Sequence, residues 1–214
     1  MLSTCLASGS TTWQPVPVAS ATPSRRIGAE DSKTRAQLLD GAEALLLEEG
    51  YAAVTSRKVA ARAGLKPQLV HYYFRTMDDL FLEVFRRRAD ENLARFEREV
   101  AADCSLATLW RFSADPRGAT FTVEFAALAN HRKAIRTELA RYAERFRAAQ
   151  LEALQHVLAA DRIDAVGMPP ATVLLLMTGI TQVMGLERGL GVTAGHQETI
   201  EFIERAIAEL EPPG

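Results

Sequence analysis

Disulfide chemistry is the first thing this chain lacks. Its 214 residues include two cysteines, Cys5 and Cys104, too few and too far apart for a disulfide framework, which favours a reducing, cytoplasmic compartment. Long apolar runs are missing too. The longest, Val173 to Met177, falls far short of the roughly 20 residues a membrane helix needs, so no membrane partner is expected. Met1 to Gly28 is rich in Ser, Thr and Pro, with no basic segment leading into an apolar core. It reads as a disordered tail or a misplaced start, not a signal peptide. Nor is there an excess of charge: 25 basic against 27 acidic residues leave a formal net charge of −2. A globally basic nucleic-acid coat is excluded, so any such affinity must come from a local patch.

Reaction chemistry is equally thin. His71, His131, His156 and His196 lack metal-ligand spacing with one another or with the cysteines. "GLGVTAG" follows a helical pattern instead of a strand and has the wrong spacing for a dinucleotide loop. No G-x-S-x-G elbow or phosphate loop occurs. The chain is therefore expected to be no enzyme, with no catalytic residue, metal or cofactor. What it does have is apolar content, 48%, enough for a well-buried core in one or two domains.

From Asp31 onward the apolar periodicity is helical and no alternating strand appears, so the fold class is all-α. Leu38, Leu39, Ala42, Leu45 and Leu46 form a stripe that stops at Gly50, a residue suited to a left-handed helix end. Thr55 can cap a short second helix to Arg62, with Val59 and Ala60 inward. Ala63, Gly64 and Leu65 make a tight turn, and Pro67 suits the first position of a third helix to about Tyr73. Thr76 caps a long fourth helix whose first turn carries Asp78 and Asp79 and whose inner stripe runs from Leu80 to Val100. Shorter helices are expected around Leu106 to Phe112 and Thr120 to Ala129. A long one covers Arg132 to Ala160, an apolar one about 170–188, and an amphipathic one about 194–211 with Ile200, Ile203, Ile207 and Leu210.

Three short helices with a Gly-containing turn between the second and third make a helix-turn-helix candidate. Charge sharpens it: from Tyr51 to Thr76 stand Arg57, Lys58, Arg62, Lys66 and Arg75, with no Asp or Glu. A basic stretch of this kind in an otherwise acidic chain points to DNA. The third helix of such a motif meets base edges with its N-terminal residues. Gln68 is the best base reader, since its amide can bond adenine N6 and N7 together. Lys66, beside Pro67, can reach guanine or a phosphate, and His71 and Tyr72 can touch bases or phosphates. Thr55, Ser56 and Arg57 sit where hydroxyls and free N–H groups clamp a phosphate, and Tyr73 offers its hydroxyl to another. Val70 and Phe74 are the core side of this helix. Arg25 and Arg26, ahead of the first helix, are a candidate minor-groove arm, although a solvated tail is the plainer reading.

The run "GYAAVTSRKVAARAGLKPQLVHYYFRTMDDLF" resembles the signature of the TetR family of transcriptional regulators, over roughly Thr34 to Val84. Gly50 and Tyr51 match its first helix end, Thr55 its second-helix cap, Ala60, Ala63 and Gly64 its turn, and "VHYYF" the aromatic end of its recognition helix. Two positions depart: Met77 stands where the family carries a backbone-contacting Lys, and Lys66 where it often carries Ser or Thr. The resemblance implies a dimer that binds double-stranded operator DNA as a repressor and is released by a small hydrophobic effector. It also implies a division into a reading head at 29–75 and an effector and dimerisation bundle at 76–214. In such proteins the pocket lies inside the bundle and the fourth helix links it to the head. Candidate walls are Phe85, Trp110, Phe112, Phe121, Phe125, Met177 and Met184, with plain core packing the alternative for each. Glu124 and Gln182 interrupt apolar helix stretches and need a polar partner, from protein or ligand. The last two helices carry more apolar surface than one bundle face needs and are the expected dimer contact. A DNA-binding activator or nucleoid protein without a ligand is the alternative.

Overall fold

The computed structural model describes residues 33–160 and 167–211. The tail and the candidate arm at Arg25 and Arg26 lie outside them. The described residues form nine α-helices and one 3-10 turn, with no strand among them: α1 Lys33–Glu49, the turn Tyr51–Ala53, α2 Ser56–Arg62, α3 Pro67–Tyr73, α4 Met77–Ala102, α5 Leu106–Ser113, α6 Pro116–Ala129, α7 Lys133–Ala160, α8 Pro170–Gly189 and α9 His196–Leu210. The all-α reading and the element order follow the periodicity.

Local chemistry sets the ends. The whole α1 stripe from Leu38 to Leu46 is buried. The helix stops at Gly50, where φ is +81°, a region costly for a residue with a Cβ. Thr55 caps α2 by accepting the Lys58 N–H at 3.3 Å. Lys66 offers no side-chain cap to α3, so Pro67 starts that helix unaided. At α4 the cap is reciprocal: Thr76 Oγ1 accepts the Asp79 N–H at 3.1 Å, and Asp79 Oδ2 accepts the Thr76 N–H at 3.0 Å.

Two apolar clusters hold the molecule. The first joins the head to the body: Leu38, Leu46, Val59, Val70 and Phe74 pack with Leu80, Val84 and Phe85 of α4, Phe125 and Leu128 of α6, and Ile135 of α7. Burying each such side chain contributes roughly 1.5–3 kcal/mol, so the core runs across the start of α4 without a break. The second cluster lies at the far end, where Phe96 and Val100 of α4 meet Leu109 and Phe112 of α5, Leu154 and Val157 of α7 and Leu174 of α8. Ion pairs supplement the first. Arg35 holds Glu83 at 2.7 Å, and Arg87 holds Asp40 at 2.7 Å and Glu43 at 2.9 Å, all between α1 and α4. Such partly buried surface pairs contribute on the order of 1 kcal/mol each.

Helices α6 and α8 cross closely. A Cβ added at Gly185 would lie 2.4 Å from the Ala119 Cβ, so only glycine permits this approach. Over an 18-residue window α8 has a mean hydropathy of 1.2 and by length and composition alone passes for a membrane span. Thr178, Thr181 and Gln182 break the apolar run without adding charge, which is why run length alone gave no such signal. Its inner face, with Leu174, Thr181 and Met184, is buried. Its outer face is bare: Leu175, Val183, Leu186 and Leu190 are exposed, and Phe202 of α9 is 65% exposed.

Candidate nucleic-acid interface and ligand cavity

Helices α2 and α3 pack on each other and on α1, burying Val59, Ala60, Val70 and Phe74 and turning the opposite faces outward. Thr55, Arg57, Lys66, Pro67, Gln68, His71 and Tyr72 are all exposed there, with Ser56 partly so. Tyr73 is half-buried, edge-on to Tyr72 with ring centroids 5.0 Å apart. Thr55 Oγ1 is already engaged as the α2 cap. Met77 is half-buried against the head's core instead of facing out as a cation would.

The acid-free stretch is not acid-free in space. Lys58 Nζ lies 2.6 Å from Glu49 and Arg62 Nη2 lies 2.5 Å from Glu48, both at the end of α1. The Glu48 hydrogen bond and charge hold the Arg62 guanidinium above its ordinary value. A window opening at Tyr51 misses Glu49 by two residues and Glu48 by three. Arg57 and Lys66 are exposed and enter no ion pair among the described residues.

Between α4, α5, α6, α7 and α8 lies a cavity of about 170 Å³. Of the residues expected to line a pocket, Phe85, Phe112, Phe121 and Gln182 do so. Trp110, Phe125, Met177 and Glu124 do not. Trp110 is buried in α5, Phe125 is fully buried in the first core, Met177 packs on the second, and Met184 borders the outer groove of α8 and α9. Glu124 has a different partner: its Oε2 accepts the Tyr51 N–H at 2.7 Å, capping the 3-10 turn after α1 from the side of α6. The need for a partner is met by protein across the head–body junction.

Sequence reasoning missed the cavity's polar wall. Arg88, Asn92 and Arg95 of α4 and Tyr142 and Arg147 of α7 line it. Spacings of four and three place Arg88, Asn92 and Arg95 on one face of α4, beside the apolar stripe, and that was the available signal. Asn92 Nδ2 donates to the Tyr142 hydroxyl at 2.7 Å. Burial pushes that hydroxyl above its ordinary value, while the Asn92 bond and the charges of Arg88, Arg145 and Arg95 pull the other way. The phenol therefore stays neutral and polar at neutral pH.

A reading head of three short helices set on a helical body with an internal cavity defines a class: the helix-turn-helix transcriptional regulators. Residues 38–84 match the family model for bacterial regulatory proteins of the tetR family. The HTH-type transcriptional regulator BetI of Rhizobium meliloti (strain 1021) is 27% identical over 150 residues, 66% of this chain and 73% of that protein. A Rhodococcus sp. protein described as a TetR-family transcriptional regulator superposes with a TM-score of 0.63 at 19% identity, covering 81% of this chain and 98% of that one. A Saccharomonospora viridis protein described as a transcriptional regulator, in complex with choline, gives 0.69 at 17%, covering 80% and 96%. At those identities the two structures speak for the fold alone. Residues 38–84 thus match the tetR family of bacterial regulatory proteins, and the curated relative that matches over a longer stretch is a transcriptional regulator too.

Proposed function

We propose that the protein is a dimeric repressor that reads an inverted-repeat operator with α3 and lets go when a small effector enters the cavity. The observation that carries this reading is the double attachment of α6. Phe121 and Thr122 line the cavity, while Glu124, within the same turn of helix, accepts the Tyr51 N–H that opens the 3-10 turn after α1. A ligand that moves α6 by a fraction of an ångström acts on the turn that seats the head, and so on the spacing of two heads. The Saccharomonospora protein's choline supports a small-molecule ligand in this fold.

In the head, Gln68 beside Pro67 reads bases, and Lys66 reaches guanine or a phosphate. Thr55, Ser56, Arg57 and Tyr73 hold phosphates, and His71 and Tyr72 touch either. The exposed face of α8 and α9 is the dimer contact, which also accounts for apolar surface otherwise typical of a membrane helix. The protein acts in the cytoplasm. The test is fluorescence anisotropy of the full chain on its own upstream region, with and without a library of small organic molecules. Specific binding to an inverted repeat, reversed by at least one compound, is the expected result. Equal affinity for random duplex, or binding that no compound reverses, would overturn it, the latter in favour of a regulator without a ligand.

A further inference from the structure

Five side-chain polar atoms among the described residues are buried with no hydrogen-bond partner, and three of them belong to residues lining the one cavity: Arg147 Nη1, Ser113 Oγ and Thr178 Oγ1. They come from α7, α5 and α8, so three separate elements of the cavity wall each carry an unmatched polar atom. A buried polar group without a partner is costly, and a charged one most of all. Three such groups around one void are what a site looks like before its ligand arrives.

The charge of that ligand is legible from the wall. Of the three arginines that line the cavity, Arg95 pairs with Asp115 at 2.7 Å and Glu99 at 3.9 Å and Arg88 with Glu43 at 4.0 Å, which leaves Arg147 without a carboxylate partner among the described residues. The Arg95 guanidinium also covers the Phe112 ring, 4.4 Å from its centroid, so that face is closed to a cationic ligand. Phe85, Phe121 and Phe146 give the wall an aromatic part. A volume of about 170 Å³ is ring-sized, since an engineered cavity of about 150 Å³ holds benzene.

We propose that the cavity binds a ring-sized organic acid, its carboxylate held by Arg147 with the Ser113 and Thr178 hydroxyls and its apolar part against the phenylalanines. This rests on the effector reading above and adds the ligand's charge and size. A carboxylate offers about four acceptor sites, enough for the guanidinium and both hydroxyls together. A neutral ring of the same shape leaves the guanidinium unpaired, and an ammonium adds a like charge beside it.

Benzoate, benzamide and benzylamine share a ring and differ in charge, which makes them the probes. Calorimetric titration of the full chain should give benzoate at least tenfold tighter than benzamide, with no binding of benzylamine. Arg147→Met should lose tenfold or more for benzoate and stay within threefold for benzamide. Without ligand it should melt at or above the wild-type temperature, because a buried N–H without a partner is gone. The acid assignment falls if benzoate does not bind, if either other probe binds as tightly, or if Arg147→Met leaves benzoate affinity unchanged. If a neutral or cationic probe binds and frees the DNA, the effector reading survives and the acid does not. If benzoate binds through Arg147 and the DNA stays bound, the acid site survives and the effector reading does not.

Discussion

Replacing Glu124 by Ala removes the carboxylate that accepts the Tyr51 N–H at 2.7 Å, at the seam between α6 and the end of α1. A hydrogen bond to a charged partner contributes about 1.5–3 kcal/mol, and this half-buried position belongs near the lower end, about 1.5–2 kcal/mol. For a chain of this size each kcal/mol moves Tm by about 2–4 °C, so Glu124→Ala should melt about 3–8 °C lower. Glu124→Gln keeps an acceptor oxygen and should lose less than half of that. Differential scanning calorimetry reads both. A second readout separates a positioning role from a merely structural one: the ratio of operator affinities without and with ligand. If α6 carries the signal through this contact, the ratio shrinks in Glu124→Ala, whereas a structural contact lowers Tm and leaves the ratio alone. A Glu124→Ala protein melting within 1 °C of wild type, with an unchanged ratio, refutes the reasoning.

Three further outcomes follow from the head and the outer face. Gln68→Ala should lose discrimination between operator and scrambled DNA by about 1–3 kcal/mol, the worth of a bidentate adenine contact, while Arg57→Ala should weaken both alike; paired titrations that exchange these patterns reverse the assignment. With Lys58 and Arg62 held by Glu49 and Glu48 and Arg75 also engaged within the protein, Arg57 and Lys66 give a dimer four cations, and log affinity should fall against log salt with a slope of about −3.6. A slope near −9 would mean that all five basic residues of each head reach phosphates and that the intramolecular pairs break on DNA. Val183 is 54% exposed and Phe202 65%, so the double change to Lys should leave the monomer's helicity intact and halve the mass seen by light scattering. An unchanged dimer would place the contact elsewhere.

How much of this was legible beforehand depends on whether a signal was local. Helix ends were, because caps act within one turn: Thr55, Pro67, Thr76 and Gly50 all sit where their chemistry places them. The inward faces of α1 and α4 were legible through period alone. The fate of Ile207 was not. A helix with apolar residues on two sides does not say which side meets its own chain, and Ile207 turns inward onto the second cluster while Phe202 turns out. Glu124 was rightly marked as needing a partner, yet the partner is a backbone N–H 73 residues away, which no spacing rule reaches. The cavity's arginines were passed over because Arg on a helix normally snorkels to water. At Arg147 the packing of α5 and α8 on α7 buries one guanidinium nitrogen, Nη1, which no spacing on α7 alone reveals.

The two attachments of α6 also bear on how the protein would behave at different amounts in a cell. Coupling between two sites is reciprocal, so if an occupied cavity weakens operator binding tenfold, operator DNA must weaken ligand binding tenfold, about 1.4 kcal/mol either way. Copies sitting on DNA are then the last to fill. Unbound copies fill first and act as a sponge, soaking up effector before any promoter opens. Expression level would thus set the threshold of the response, with no change in a single contact, and a strain carrying extra copies should need more effector to induce the same gene.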